Sequence, residues 1–308
     1  MICLILIIWG GCDINEDLSN CYRGIHISFK TINPNYQFEE IIGSLDLYLY
    51  NHEEVLVEKY SYSQQQLIST NYKAYIPYHA SGEYFLVAIV NPHELYAITG
   101  EDELITFHNQ LITDSNNIIS SKLPDIYHSF KEIRFTEATY VTNDTLMLSK
   151  NTNHIKLEVE IQGYTLPENS SIKTNITGAN GIYDYINRPL NGPDIIYLPH
   201  TNLENRVEPN NIFLKNESTI LRMWIGDNLT INIEQYNGSN FHNLLKSFRL
   251  TEIITALSDP ETGQLLYSTD EKLGMEDIFN IKVTLDGSMK IVALLINDWY
   301  AIRPDVDL

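Results

Sequence analysis

Nine histidines, 40 carboxylates and three cysteines carry the potential chemistry of this 308-residue chain, and their spacing decides whether they can act together. A metal site needs histidines one helical turn apart or cysteines in close pairs. His26, His52, His79, His93, His108, His128, His154, His200 and His242 show no such interval and read as surface or loop residues. The runs Glu101-Asp102-Glu103 and Asp270-Glu271 have the residue types for a calcium site or a glycosidase pair. With 40 acidic residues to distribute, such runs arise easily and read as solvated faces. A glycine-rich phosphate loop and a Gly-x-Ser-x-Gly elbow are both missing, so no catalytic residue, metal ligand or cofactor is assigned. The balance of 40 acidic against 20 basic residues, formally −20, repels phosphate backbones and excludes nucleic acid as a partner.

The cysteines are more informative. Ile2 to Trp9 form an apolar run, followed by Gly10-Gly11-Cys12 and then by Asp13, Asn15, Glu16 and Asp17. The run is far shorter than the roughly 20 residues that span a bilayer, and matches the apolar region of a secretory signal. Its arrangement resembles a bacterial lipobox, with residues 1–11 as the signal and Cys12 as the lipidated first residue of the mature protein. No Lys or Arg precedes the run, a departure from the usual basic start. The same residues can also be read as a buried first strand with an incidental cysteine. Two or three acyl chains on Cys12 would hold the body to a membrane, since each buried methylene contributes about 0.8 kcal/mol. The acids behind Cys12 resemble signals that export lipoproteins of Bacteroidetes-type bacteria to the outer face of the outer membrane. Cys21 then has no disulfide partner and reads as a small buried apolar residue. Asp144-Thr145-Leu146 matches a short pattern for glycosylation on the Thr145 hydroxyl, in a stretch expected to lie accessibly between domains. Asn-x-Ser/Thr triplets at Asn143, Asn169, Asn175, Asn216, Asn228 and Asn237 are what an asparagine-rich chain produces by chance.

The elements that position these residues are strands. Ile25, Ile27 and Phe29 alternate with polar residues, as do Leu45, Leu47 and Leu49, and later Ile155, Leu157, Val159 and Ile161. Gly82 to Asn91 is almost continuously apolar, as a strand covered on both faces would be, and Pro92 stops it. Residues 101–130 loosen into loops and short helices. In the second half, Arg222 to Ile225, Leu229 to Ile233, Ile281 to Leu285 and Lys290 to Ile296 read as strands. Gly226-Asp227-Asn228 and Asp286-Gly287-Ser288 have hairpin chemistry. Asn243 to Leu250 is the best short helix. The expected architecture is all-β: a tether over 12–21, an N-terminal β-sandwich over 22–150 and a C-terminal β-sandwich over 151–308.

In their order along the chain these pieces resemble the FimB/Mfa2 family of fimbrial anchor lipoproteins of Bacteroidales-type bacteria. The likeness rests on Cys12, Glu16 to Cys21, Ile25 to Phe29, Leu45 to Tyr50 and Gly82 to Asn91. It continues through His154 to Gly163, Thr177 to Asp184 and Ile296 to Trp299. The resemblance implies two transthyretin-like sandwiches and no enzymatic activity. It implies a lipoprotein of the outer membrane that binds a fimbrillin stalk subunit of a type V pilus by strand complementation. A chain ending nine residues after Trp299 suits a base subunit that receives a strand. A surface glycan-binding lipoprotein is the alternative, with Tyr and Trp rings stacking on sugars. An enzyme would need a converging constellation that the spacing lacks.

Overall fold

The computed structural model describes residues 23–136 and 141–302. The protein is all-β, with four short α-helices among the described residues. The first half carries β1 (Gly24–Thr31), α1 (Phe38–Ile41), β2 (Ser44–Asn51), β3 (Leu56–Ser63), α2 (Gln64–Ser69), β4 (Ala74–Pro77) and β5 (Gly82–Val90). It continues with β6 (Tyr96–Thr99), β7 (His108–Leu111), β8 (Ile118–Ile119), β9 (Tyr127–Phe135) and β10 (Val141–Lys150).

Seven of these strands form one sheet in the order β3-β2-β5-β9-β10-β1-β4. β9 and β10 share only two register pairs, Ser149 with His128 and Lys150 with Tyr127. The sheet folds over at that corner, because both limbs send their inward residues into a single cluster. Leu45, Leu47, Leu49, Leu86 and Val90 come from one limb, and Ile25, Ile27, Ile76 and Leu146 from the other. The alternation in the sequence is therefore a true inside–outside alternation. β5 is apolar from Tyr84 to Val90 because its other face, with Val87 and Ile89, packs into a second and larger cluster together with Tyr48 and Tyr50.

The second half carries β11 (Thr152–Gln162), β12 (Ser170–Gly178), β13 (Ile182–Tyr183), β14 (Pro189–Leu190), β15 (Ile195–Tyr197), β16 (Thr201–Glu208) and β17 (Asn211–Leu221). It ends with β18 (Thr230–Asn237), β19 (Asn240–Arg249), α3 (Leu250–Ala256), α4 (Asp270–Gly274), β20 (Ile278–Leu285), β21 (Ile291–Ile296) and β22 (Trp299–Ile302). A six-stranded sheet, β16-β17-β11-β20-β21-β22, faces a five-stranded one, β19-β18-β12-β15-β8. Ile155, Leu157, Val159, Ile281 and Val283 from the first meet Ile172, Ile231 and Ile233 from the second.

Residues 96–126, expected to belong to the N-terminal sandwich and from residue 101 on to be loops and short helices, cross into the second half. β7 pairs with β13 and β8 pairs in parallel with β15. Leu104, Phe107, Leu111, Ile119, Leu123 and Ile126 fill the larger cluster. Tyr127 to Phe130, at the end of the same stretch, begin β9 rather than a loop.

Three local expectations are corrected. Asn243 to Arg249 lie in β19, and the helix starts only at Leu250. β19 pairs with β18 through two register shifts, and the extra residues break the two-residue period that would have marked a strand. β17 ends at Leu221, so Arg222 to Ile225 are not a strand. They enter a turn in which the Trp224 amide donates to Asp227 Oδ2 at 2.8 Å and the Asp227 amide donates back to the Trp224 carbonyl at 3.1 Å. Gly226-Asp227-Asn228 therefore carries the chain from the six-stranded to the five-stranded sheet rather than closing a hairpin. Asp286-Gly287-Ser288 does join two paired strands, β20 and β21.

Candidate functional site

An all-β chain can recruit a partner through unpaired strand edges, where main-chain donors and acceptors stand free. Two places bring a pair of such edges together.

The first is the seam between β3 and β4, the two ends of the folded seven-stranded sheet. No backbone ladder joins them. Tyr62 Oη donates to the Tyr75 carbonyl at 2.7 Å, and Tyr60 Oη lies 2.9 Å from His79 Nε2 and 2.7 Å from Glu58 Oε2. His79 Nε2 also lies 3.7 Å from the Glu58 carboxylate. Burial, and then the hydrogen bond to Glu58, push the Tyr60 phenol well above its ordinary pKa, so it stays a neutral donor. Tyr60, Tyr62, Tyr72 and Tyr78 pack onto the smaller core beneath. Phenol side chains thus close an edge that the backbone leaves open.

The second is a slot in the second-half sandwich. β12 pairs with β18 along its whole length, from Ser170 opposite Asn237 to Thr177 opposite Thr230. On its other side β15 reaches only Ile176, Thr177 and Gly178. The chain then leaves through Leu198 and Pro199 to begin β16 in the opposite sheet. Residues 170–175 of β12 keep a free edge as a result, and β16 is the free edge of the sheet across from it. A cavity of about 420 Å³ lies between them.

The inward rows explain why the cavity is polar. β17 reads Ile212, Leu214, Asn216, Ser218, Ile220 toward the core, and all five are buried, the polar Asn216 and Ser218 included. Asn216 Nδ2 crosses between the sheets to Thr174 Oγ1 at 2.8 Å. In register beside them on β16, Asn202 stands opposite Asn216, and Asn205 opposite Leu214. On the outer face of β12, Asn175 Oδ1 accepts from Asn232 Nδ2 at 2.9 Å. Lys173 sits 4.4 Å from the centre of the Tyr236 ring, and Phe241 meets that ring edge-on at 5.9 Å. No coplanar pair of exposed rings forms a sugar platform there.

The halves are held at a polar junction. Lys150, at the end of β10, lies 3.0 Å from Asp125 and 3.9 Å from Asp277. His154 Nε2 approaches Asp125 to 3.3 Å, and Thr152 Oγ1 donates to the same carboxylate at 2.9 Å. Burial alone would raise the Asp125 pKa, but the His154 hydrogen bond and the Lys150 charge outweigh it and hold the carboxyl well below its usual range. Asp277, further from Lys150, is raised by burial, and Tyr36 beside it is pushed up to about 12, by burial and then by Asp277. Asn151 and Asn187 exchange two amide hydrogen bonds of 2.7 Å.

Of the residues singled out in the sequence, Cys12 and the whole 12–21 tether lie outside the described residues, as do Cys3 and Cys21. Thr145 is in β10, opposite Ser28 of β1, with a half-buried side chain, and not in a loop between domains. Leu146 and Leu148 alternate into the core there and extend the strand. Its neighbour Asp144 is engaged by Lys131 and by the Thr145 amide. His128 is not a surface residue: it is buried, and its pKa is driven down to about 3, first by that burial. His154 belongs to the junction. Among the described residues no group of three His, Cys, Asp or Glu side chains is arranged to hold a metal ion. The slot residues were missed, although Asn175 and Asn216 had been noticed as triplet asparagines. The readable signal was the polar pair Asn216 and Ser218 interrupting the apolar row of β17.

A family model described as fimbrillin-A associated anchor proteins Mfa1 and Mfa2 matches residues 18–303. The chain belongs to this family. It is a fimbrial anchor family, associated with fimbrial subunits at the cell envelope, and not a class of enzyme. The fimbrial anchor protein Mfa2 from Porphyromonas gingivalis has a similar structure, with a TM-score of 0.70 at 17% identity, covering 92% of this chain and 100% of that one. A candidate polysaccharide-binding protein from Bacteroides thetaiotaomicron matches with a TM-score of 0.73 at 18% identity, over 90% of this chain and 97% of that one. A candidate adhesin from Bacteroides ovatus matches with a TM-score of 0.69 at 14% identity, over 91% and 94%. At these identities the likeness establishes the shared fold. No curated protein sequence matches the chain. No helix among the described residues is long and apolar enough to cross a membrane.

Proposed function

We propose that this anchor-family protein is a surface lipoprotein of the outer membrane, tethered through lipid on Cys12, and an anchor or accessory subunit of a type V fimbria. It takes up an extended segment of a fimbrillin subunit along the free edge of β12. One observation carries the reading: residues 170–175 of β12 have no strand partner among the described residues on the side where a cavity of about 420 Å³ runs between the sheets. An added strand gains main-chain hydrogen bonds from the edge and places alternate side chains in the cavity. The formal charge of −20 keeps such a body soluble and standing off an anionic membrane surface.

Two variants separate tether from slot. Cys12→Ala moves the protein from the membrane to the soluble fraction, and unchanged partition overturns the lipid anchor. Asn205→Trp fills the slot from an exposed position on β16 and abolishes co-purification of the fimbrillin subunit from envelope extracts. Unimpaired co-purification overturns the slot.

A second reading, surface glycan binding, is favoured by the asparagines that line the cavity. The free strand edge and the ring of Tyr236, already covered by Lys173, favour the strand. Retention of the wild-type protein on a glycan array, lost in Asn205→Trp, would reverse that choice.

A further inference from the structure

The slot is not uniformly apolar, and the hydrogen bond that crosses it between the two inward rows, Asn216 to Thr174, falls where an incoming side chain must be read. Building on the strand-acceptor reading, we propose that Thr174 and Asn216 form a register key. They select a segment with an aliphatic residue beside Ile172 and, two residues on, a side chain that hydrogen-bonds beside Thr174.

The free edge of β12 has three inward positions, Ser170, Ile172 and Thr174, before β15 takes over at Ile176, and the last two line the cavity. An added strand sets its own inward residues beside them at the same spacing. The residue beside Ile172 meets that side chain and Leu214 across the cavity. The residue beside Thr174 meets Asn216 and, next to it, Asn202. Asn216 spends its Nδ2 on Thr174 at 2.8 Å, whereas its Oδ1 takes no hydrogen bond from any described residue and faces the cavity. Asn202 makes no side-chain hydrogen bond with any described residue.

In the free protein the cavity leaves these amide groups open to solvent. A strand that expels the water must replace its bonds or leave buried amides unsatisfied. Serine, threonine or asparagine at that position does so, and valine does not. A one-residue slip would turn the whole inward row of the segment outward, so a polar key in an apolar row fixes register as well as identity. The only charges on the slot walls, Lys173 and Glu234, are already engaged, one over the Tyr236 ring and the other by the Tyr236 hydroxyl at 2.9 Å. The key therefore asks for a neutral side chain.

The test uses the full chain and two fluorescein-labelled extended peptides, identical except for threonine or valine at the second of two inward positions, the first being valine in both. Fluorescence anisotropy is expected to show the threonine peptide binding about tenfold more tightly, the scale of one unsatisfied buried amide. In the double variant Thr174→Val, Asn216→Leu the preference reverses. Equal affinity for the two peptides, with both lost in Asn205→Trp, overturns the key and leaves the strand acceptor standing. Failure of both peptides to bind wild type overturns the two together.

Discussion

The seam and the slot pose the same problem, two strand edges facing each other without a ladder, and this chain treats them in opposite ways. At β3 and β4 three side chains span the gap, and a tyrosine hydroxyl occupies a main-chain acceptor at 2.7 Å. At β12 and β16 the main chain stays open along a cavity, and the polar groups lie behind it, on the inward rows. Soluble proteins blunt their edges because open ones recruit other chains. A protein that closes one edge with phenols has the means to close the other. The difference separates an edge kept shut from an edge kept for a partner.

The comparison assumes a fixed frame between the halves, and the largest effect comes from breaking it. Lys150→Ala leaves Asp277 and Asp125 without their buried cation, and the loss is expected to be about 3–5 kcal/mol. Chemical denaturation would measure it. A loss under about 1 kcal/mol would show that water already screens the junction and that the halves are held by the shared apolar core instead.

Acid strains the same frame through His128, which stacks up beside Ser149 at the β9–β10 corner. Its native pKa near 3 lies below the roughly 6.5 of an unfolded histidine. As pH falls below 6.5 the unfolded chain takes a proton that the native one refuses, so stability drops, by about 2 kcal/mol at pH 5. Carboxyls raised by burial pull the other way: Asp227, at about 6, takes up its proton preferentially in the native state as pH falls toward 4. The decisive measurement is thus the difference in melting temperature against pH between wild type and His128→Gln. The variant is expected to lose less on going from pH 7 to pH 5, and identical slopes would mean that water reaches the imidazole.

The seam comes next in size. Tyr62→Phe and Tyr60→Phe each remove a phenol hydroxyl with its hydrogen bonds while keeping the ring, for an expected cost of about 1 kcal/mol apiece. Together they uncover the facing edges of β3 and β4. Light scattering is then expected to show concentration-dependent self-association, which the wild type resists. A monomeric double variant would show that packing of the rings, not their hydroxyls, shuts the edge.

How much of this could be read in the sequence follows from where each signal resides. Strands such as β1, β2, β5 and β11 were legible because their inward rows are unbroken, and the all-β class followed from them. β19 was not, because two register shifts relative to β18 erase the two-residue period. The crossing of residues 96–126 was invisible because its strands are two to four residues long and are held by partners far away in sequence. The slot hides for a related reason. An unpaired edge is a property of topology, of β15 ending at Tyr197 opposite Ile176, and no local composition announces it. Its one local trace, Asn216 and Ser218 amid isoleucine and leucine, matched a glycosylation triplet and was taken for chance.

The polar groups of the seam and of the slot differ in what they do for folding. In the seam, polar contacts hold the fold together, so their removal costs stability. In the slot, Thr174 and Asn216 hydrogen-bond to each other at 2.8 Å; Thr174 sits between Ile172 and Ile176 on its strand, and Asn216 between Leu214 and Ser218 on the other. Replacing both partners at once, Thr174→Val with Asn216→Leu, removes two polar groups that were costly to bury and adds apolar area, while leaving no donor or acceptor stranded. The free protein is expected to keep its stability within about 0.5 kcal/mol or to gain slightly. Thr174→Val alone strands the Asn216 amide and is expected to cost about 1 kcal/mol, which shows that the pair, and not the site, is what balances. A double variant that loses 2 kcal/mol or more would place the pair in the structural frame with the tyrosines of the seam. A neutral double variant means that folding does not require these polar groups, and their presence in the core of a sandwich then calls for a second occupant.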